Sequence, residues 1–391
     1  MEILVVNSGS SSIKLNLLKT GKKLEEKAEI LIDRIGLKSC ELIFTAGKKT
    51  SNKKINPKNH KEALAMGLKF FLEKKALKNY KDISAIGHRV VHGGEKYAKT
   101  VKITPAVIKD IQALASLAPL HNPANLQGIL ACQELLKNVP QVAVFDTAFH
   151  QTMPKKAYIY GIPHSFYTKH HIRRYGFHGT SHKYVVSEAI KLLGKKNAKI
   201  VSCHLGNGAS ITASLGGKSA DTSMGFTPLE GIIMGTRSGS IDPAIIFHME
   251  NALKMSASQI SHLLNYESGL KGVSGISSDM RDIYGKSLKK DPRALFTIDL
   301  LSYQIAKYIG SYASILGGID GIIFTGGLGE KAFYVREKAL SYLTFLGVKL
   351  NKKNNKNNKL LISEKKSKVK VFVIHTEESV QIAKETLEII K

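Results

Sequence analysis

The chain has 391 residues, 43% of them apolar, a length and balance that predict two folded domains rather than one ordinary core. Its net charge is +27, yet only eight of the 58 basic residues are arginine, and the lysines are scattered or run with asparagine as in 351–359. Arginine's planar fork is the cation suited to reading phosphate and base edges, so the excess excludes nucleic-acid binding as the main function and reads as solvated surface lysine.

Met1-Glu2 leads straight into an apolar run at residues 3–7 with no basic leader, so no secretory signal is expected. That run predicts a strand, followed by the small-residue turn Ser8-Gly9-Ser10-Ser11-Ser12 and a second strand at 13–18. A further strand is expected near 41–45 and a helix over 61–75. Residues 83–91 read as a buried strand and 105–117 as a helix with proline in its first turn. Asn122-Pro123 predicts a helix running to about residue 138, with Asn122 as cap and Pro123 in the first helical position. Residues 142–145 form a short buried strand ending at Asp146.

The second half repeats the pattern. A strand at 200–203 runs into His204-Leu205-Gly206-Asn207-Gly208-Ala209, and a strand at 210–215 follows. The two strand–turn–strand units lie roughly 200 residues apart, half the chain, which implies duplication. A long helix over 293–316 precedes a strand at 321–324 and the turn Thr325-Gly326-Gly327-Leu328-Gly329-Glu330. That helix carries Asp299, Gln304 and Lys307 and reads as buried, so no membrane span is expected. A strand at 369–374 and a helix at 377–390 close the chain, and the Lys/Asn-rich segment 351–368 reads as a surface loop. Cys40, Cys132 and Cys203 lack any C-x-x-C spacing and predict a reducing, cytoplasmic setting.

A strand that ends in small residues exposes N–H groups and hydroxyls able to cradle phosphate oxygens. Three such turns in one chain predict a nucleotide-handling enzyme. Gly327-x-Gly329-x-x-Ala332 is a partial dinucleotide fingerprint, but no acidic residue lies between Glu337 and Glu364 to hold a ribose, and no P-loop occurs. Nucleotide binding must therefore use turns spread over both halves. His178 and His182 stand at a spacing that could hold a metal on one helix face, yet Gly179-Thr180-Ser181 reads as a helix start with no acidic base beside it. Asp146 is either a catalytic residue at a strand end or an N-cap. Arg89 either pairs with an aspartate such as Asp146 or meets a substrate anion, and both can hold at different stages.

Five further segments settle the family: His88-Arg89-Val90-Val91-His92-Gly93-Gly94, Leu120-His121-Asn122-Pro123, Phe145-Asp146-Thr147-Ala148-Phe149-His150, residues 174–182, and Gly235-Thr236-Arg237-Ser238-Gly239. With the three turns they resemble the acetate/propionate kinase family over essentially the whole chain. The resemblance implies an α/β fold of two duplicated actin-like (ribonuclease H-like) domains, with mixed sheets flanked by helices and the nucleotide in the interdomain cleft. The domains are expected at 1–149 plus 380–391 and at 150–379. It also implies a cytoplasmic homodimer using ATP/ADP, acetate and acetyl phosphate, with Mg²⁺ (Mn²⁺ the alternative) and no nucleic-acid or membrane partner. The expected reaction is reversible in-line transfer of the ATP γ-phosphoryl group to acetate. Propionate as the acceptor, or an actin-like ATPase without a carboxylate acceptor, are the alternatives.

Carried over by resemblance, the catalytic residues are Asp146, Arg89, Arg237 and His178, the last two stabilising the transition state. Arg89 with Val91, Leu120, Phe177 and Pro228 forms the acid site, and His121 is an active-site histidine. The nucleotide is met by Lys14, His204, Leu205, Gly206, Asn207, Gly208, Asp279, Met280, Arg281, Gly326, Gly327, Leu328, Gly329, Glu330 and Lys331. Asn7 and Glu378 are the metal-associated pair, and Ser10 and Ser12 line the same wall as Lys14. Three positions depart from the family pattern: Lys331 and Glu377 each replace an asparagine, and Ser240 replaces an aspartate. A carboxylate acceptor is already ionised at pH 7, so the expected catalysis is charge neutralisation and alignment, with no general base.

Overall fold

The computed structural model describes every residue except Lys22 and Leu120. It divides into two units, Met1–Phe149 with Glu377–Lys391, and His150–Thr376.

The first unit holds an eight-stranded sheet in the order β5-β4-β3-β2-β1-β6-β8-β7. The strands are β1 (Glu2–Ser8), β2 (Ser12–Thr20), β3 (Leu24–Asp33), β4 (Glu41–Ala46), β5 (Lys49–Lys54), β6 (Ile83–Val90), β7 (Val101–Lys102) and β8 (Gln141–Phe145). β1 is apolar without alternation because both of its faces are covered. Leu4 and Val6 join a core with Leu64, Leu68 and Phe71 of the His60–Glu73 helix, while Ile3 and Val5 pack with Ile382 and Ala383 of the Glu378–Ile390 helix.

The second unit holds a five-stranded sheet, β11-β10-β9-β12-β13. Its strands are β9 (Lys199–Leu205), β10 (Ala209–Leu215), β11 (Lys218–Thr222), β12 (Gly321–Thr325) and β13 (Lys370–Val373). Val185, Val186 and Ala189 of the Gly179–Leu193 helix cover it through Ile200, Ile323 and Phe372. β3-β2-β1-β6-β8 and β11-β10-β9-β12-β13 share one order. In each, an antiparallel three-strand meander is followed by two parallel strands. The duplication implied by the two spaced turns is thus a repeated sheet topology, with mixed sheets flanked by helices.

Three local expectations change. The third turn is a short helix, Gly326–Lys331, which starts directly from β12. A run of small residues carries no apolar stripe, so periodicity could not show it. Gly326 sits at φ +78°, and a Cβ there would stand 2.7 Å from the Leu205 carbonyl oxygen. Asn122 is the first residue of the Asn122–Leu135 helix rather than its cap, because its side chain is committed elsewhere: Oδ1 accepts from His92 N and Nδ2 donates to His92 O. The Lys/Asn segment is pinned rather than loose. It contains the Lys352–Lys356 helix, and fully buried Arg336 donates to the Asn355 side chain and carbonyl, to Asn358, and to the Gly329 carbonyl.

Candidate active site

In the first unit the parallel pairing of β6 with β8 sets Arg89 opposite Val144 and Val90 opposite Phe145, so both strands end together. Asp146 follows directly and its N–H donates to Val90 O. Arg89 Nε and Nη2 donate to one oxygen, Asp146 Oδ2, at 2.9 and 2.6 Å. The carboxylate is only 1% exposed. Burial alone would lower the Arg89 pKa, but the Asp146 carboxylate, with Glu378 behind it, raises it above the ordinary arginine value. Asn125 stitches this corner to the first small-residue turn: its Oδ1 accepts from Val91 N at 2.9 Å and its Nδ2 donates to Ser8 O at 2.7 Å. Gly9 N donates to Ser12 O across that turn, and Lys14 is paired with Glu29 at 2.8 Å. Glu378 lies in the first turn of the final helix, where the helix dipole favours a carboxylate.

The second unit gathers a different set. His178, in the left-handed region at φ 56°, precedes the Gly179–Leu193 helix, and its Nδ1 is 2.9 Å from Ser210 Oγ. Its ring stacks on His204, with centroids 4.3 Å apart. Both lie at the β9–β10 turn. A Cβ on Gly208 would stand 3.3 Å from His178 Nε2 and 3.4 Å from Arg237 Nη1, so the two donors converge on a bare stretch of backbone. Only glycine leaves that space open to a ligand. The Arg237 loop is rigidly held: Gly235 N donates to Asn207 O, Thr236 Oγ1 to Asn265 O, and Ser238 N to Leu264 O. Arg237 itself donates to Pro228 O at 3.1 Å and lies 3.9 Å from Met234 Sδ. No carboxylate pairs with it among the described residues. Burial lowers its pKa, opposed by Tyr266. A partly buried guanidinium with no counter-charge is poised for an anion.

Beside this loop opens a cavity of about 570 Å³. Of the residues expected to meet a nucleotide, Gly206, Asn207, Asp279, Met280, Arg281, Gly327, Leu328 and Lys331 line it. Gly326, Gly329, Glu330, His204, Leu205, Gly208 and Lys14 do not. Glu330 instead accepts from Gly326 N and pairs with His375, closing its own short helix. Asp279 caps the Met280–Ser287 helix and grips Arg281. Sequence reading missed Tyr284 and Tyr334, which stack 3.7 Å apart at the cavity wall. Tyr334 follows the Gly-Leu-Gly-Glu-Lys run by three residues, the one signal that could have found it. Ser210, Ser181 and Asn125 were missed as well, since small polar residues inside strands and helices carry no distinctive pattern.

Of the expected acid-site residues, Val91 is buried in the first unit, while Phe177 is buried and Pro228 partly buried in the second. Leu120 lies outside the described residues. Ser240 has a plain structural use, accepting the Gly231 N–H, and makes no hydrogen bond to Arg237. Lys331 faces the cavity, and Glu377 precedes the final helix. The His178–His182 pair does not share a metal face, because both rings bond Ser210 Oγ.

A repeated α/β sheet whose turns line a cavity beside converging side-chain donors is the framework of a kinase. In fold the chain is similar to the crystal structure of Porphyromonas gingivalis acetate kinase, with TM-score 0.95 and 42% identity over all of both chains. It is similar also to a propionate kinase from Francisella tularensis, with TM-score 0.94 and 43% identity over 99% of each. The acetate kinases of Clostridium beijerinckii and Thermotoga maritima are 49% and 48% identical, covering 100% of this chain and 100% and 99% of their own lengths. The Acetokinase family model matches residues 2–384, and the chain belongs to that family. No helix among the described residues is long and apolar enough to cross a membrane.

Proposed function

We propose that this chain transfers the γ-phosphoryl group of ATP to acetate, reversibly, giving acetyl phosphate and ADP. The observation that carries the reading is Arg237: a partly buried guanidinium without a carboxylate partner, converging with His178 on Gly208. Acetate is ionised at neutral pH, so the barrier is the approach of an anion to a polyanion. Arg237 and His178 supply donors to the transferring group, where charge spreads over its equatorial oxygens. Arg89 draws the acid carboxylate, and Asp146 holds the guanidinium in orientation through Nε and Nη2, without accepting a proton. The β9–β10 turn meets the phosphates and the cavity beside it takes the nucleoside. The acid's methyl group is assigned to Val91 of the first unit and to Phe177 and Pro228 of the second.

A divalent cation fits the oxygen donors of the first unit. Glu378 stands close enough to Arg89 to raise its pKa, and Asn7 is the penultimate residue of β1, so the first unit offers a carboxylate and an amide oxygen. That is the donor set Mg²⁺ takes while keeping waters, and Mn²⁺ accepts the same oxygens. When bound, the ion would neutralise triphosphate charge.

The two units serve as the two domains in this reading. A homodimer is supported by the Ala244–Asn251 helix, which buries none of its residues and exposes Ile245, Ile246 and Phe247. Three free, buried cysteines accord with a cytoplasmic enzyme, and lysine-dominated charge with one that binds neither nucleic acid nor membrane. Trapping of the acyl phosphate with hydroxylamine tests the function. Hydroxamate should appear only with ATP, Mg²⁺ and acid, faster with acetate than with propionate. ATP hydrolysis indifferent to added acid would overturn the reading in favour of an ATPase.

A further inference from the structure

We propose that Ser210 is a positioning residue. Through the buried chain Ser202–His182–Ser210–His178 it holds the His178 imidazole in the tautomer whose proton sits on Nε2, the nitrogen facing Gly208. The proposal deepens the role given to His178 above and rests on that reading for its catalytic consequence alone.

The links are short and all lie in the second unit. His182 Nδ1 is 2.8 Å from Ser202 Oγ, His182 Nε2 is 2.8 Å from Ser210 Oγ, and His178 Nδ1 is 2.9 Å from the same Ser210 Oγ. Ser202, His182 and Ser210 are all 0% exposed, so bulk solvent does not complete their bonding. The direction of the protons follows from counting them. Each hydroxyl has one hydrogen, and a neutral imidazole donates from one nitrogen and accepts at the other. Ser202 Oγ has a single partner, His182 Nδ1, and would leave a buried hydroxyl hydrogen without an acceptor unless it donates there. His182 must then carry its proton on Nε2 and donate it to Ser210 Oγ. Ser210 is left to donate to His178 Nδ1, which places the His178 proton on Nε2. Run the other way, every link survives but the Ser202 hydrogen is stranded. Burial, with His150 and His204 adding to it, keeps His182 neutral by lowering its pKa well below the ordinary value, as the chain requires.

The stacked neighbour is set oppositely. Ser181 Oγ donates to Thr376 Oγ1 at 2.8 Å and so must accept from His204 Nδ1 at 2.8 Å. A donor nitrogen of His178 and an acceptor nitrogen of His204 are thus fixed by two separate serines. A group that must donate to a phosphoryl oxygen at one nitrogen gains by having its other nitrogen permanently occupied as an acceptor.

The test uses the full-length protein labelled with ¹⁵N-histidine, with the His178→Ala spectrum identifying the signals. In wild type, His178 should show a pyrrole-type Nε2 and a pyridine-type Nδ1, and Ser210→Ala should bring up the Nδ1–H form. Ser202→Ala, one link further off, should loosen the same preference if Ser210→Ala proves unstable. In kinetics, Ser210→Ala should lower kcat by about tenfold or more, the scale seen when the partner orienting a functional imidazole is removed. KM for ATP and acetate should hardly change, and in the His178→Ala background the same substitution should cost nothing further. A pyrrole-type Nδ1 at wild-type His178, or an equal loss in both backgrounds, would overturn the proposal. An Nε2–H signal beside a near-wild-type His178→Ala rate would uphold the tautomer lock and defeat the catalytic reading.

Discussion

Replacing Arg237 with alanine should separate activity from stability with opposite signs. In the protein as it stands, Arg237 holds its charge in a partly buried position with one carbonyl hydrogen bond, at 3.1 Å to Pro228, and no carboxylate. Burial depresses its pKa, so keeping the charge costs folding free energy. Alanine removes that cost and forfeits one bond to a charged donor worth about 1.5–3 kcal/mol. The two effects oppose each other, and the unliganded protein should lose little stability or gain some. The rate should behave otherwise. Losing one donor to developing transition-state charge typically lowers kcat by about 10²–10³, or roughly 2.7–4 kcal/mol. Arg89→Ala makes the contrast: it strips a 1% exposed carboxylate of its guanidinium and should cost about 3–5 kcal/mol of stability as well as rate. Steady-state hydroxamate kinetics and urea unfolding of both variants decide the matter. If Arg237→Ala unfolds as readily as Arg89→Ala, or keeps kcat within about tenfold of wild type, the reasoning from an unpaired guanidinium is wrong.

Three further outcomes are expected. Gly87→Ala should destabilise the first unit by about 1–3 kcal/mol, because a methyl there would overlap Thr386 Oγ1 and stand 2.7 Å from Ile382 Cγ2; an unchanged denaturation midpoint would show that the final helix can give way. Val91→Ala should shift the kcat/KM ratio toward propionate by up to about tenfold with ATP KM unaffected, and an unmoved ratio would take Val91 out of the acid pocket. Stability should fall with acidity through His88, which is fully buried against Gln141 and has its pKa lowered to about 4 by burial. The unfolded histidine binds a proton near pH 6.5 while the folded one does not, so stability is present above that pH and is lost as pH falls toward 4. The loss reaches roughly 2 kcal/mol by pH 5. His88→Gln should flatten the pH dependence of the urea midpoint, and equal slopes would refute the assignment.

The sequence by itself determined the elements whose physics is local. β1, β6, β8, β9 and β12 are legible because buried strands are dense in apolar residues with no polar alternation, and the long Pro292–Ile315 helix because one stripe repeats over many turns. The spacing of two small-residue turns was enough to foresee the repeated sheet, and the motif residues at strand ends were legible because those ends are where side chains leave the sheet. What only the tertiary structure decided are the partners. Arg89 lies 57 residues from the aspartate that orients it, and Ser210 lies 32 from His178. Nothing in composition or periodicity separates Arg89, already neutralised, from Arg237, left without a counter-charge. Asn122 reads as a cap until the His92 backbone claims its side chain, and Gly326–Lys331 reads as a turn until the Leu205 carbonyl leaves room for glycine alone. Local sequence sets backbone preference, but hydrogen-bond satisfaction and charge pairing are settled by whichever distant groups the packed chain brings within about 3 Å.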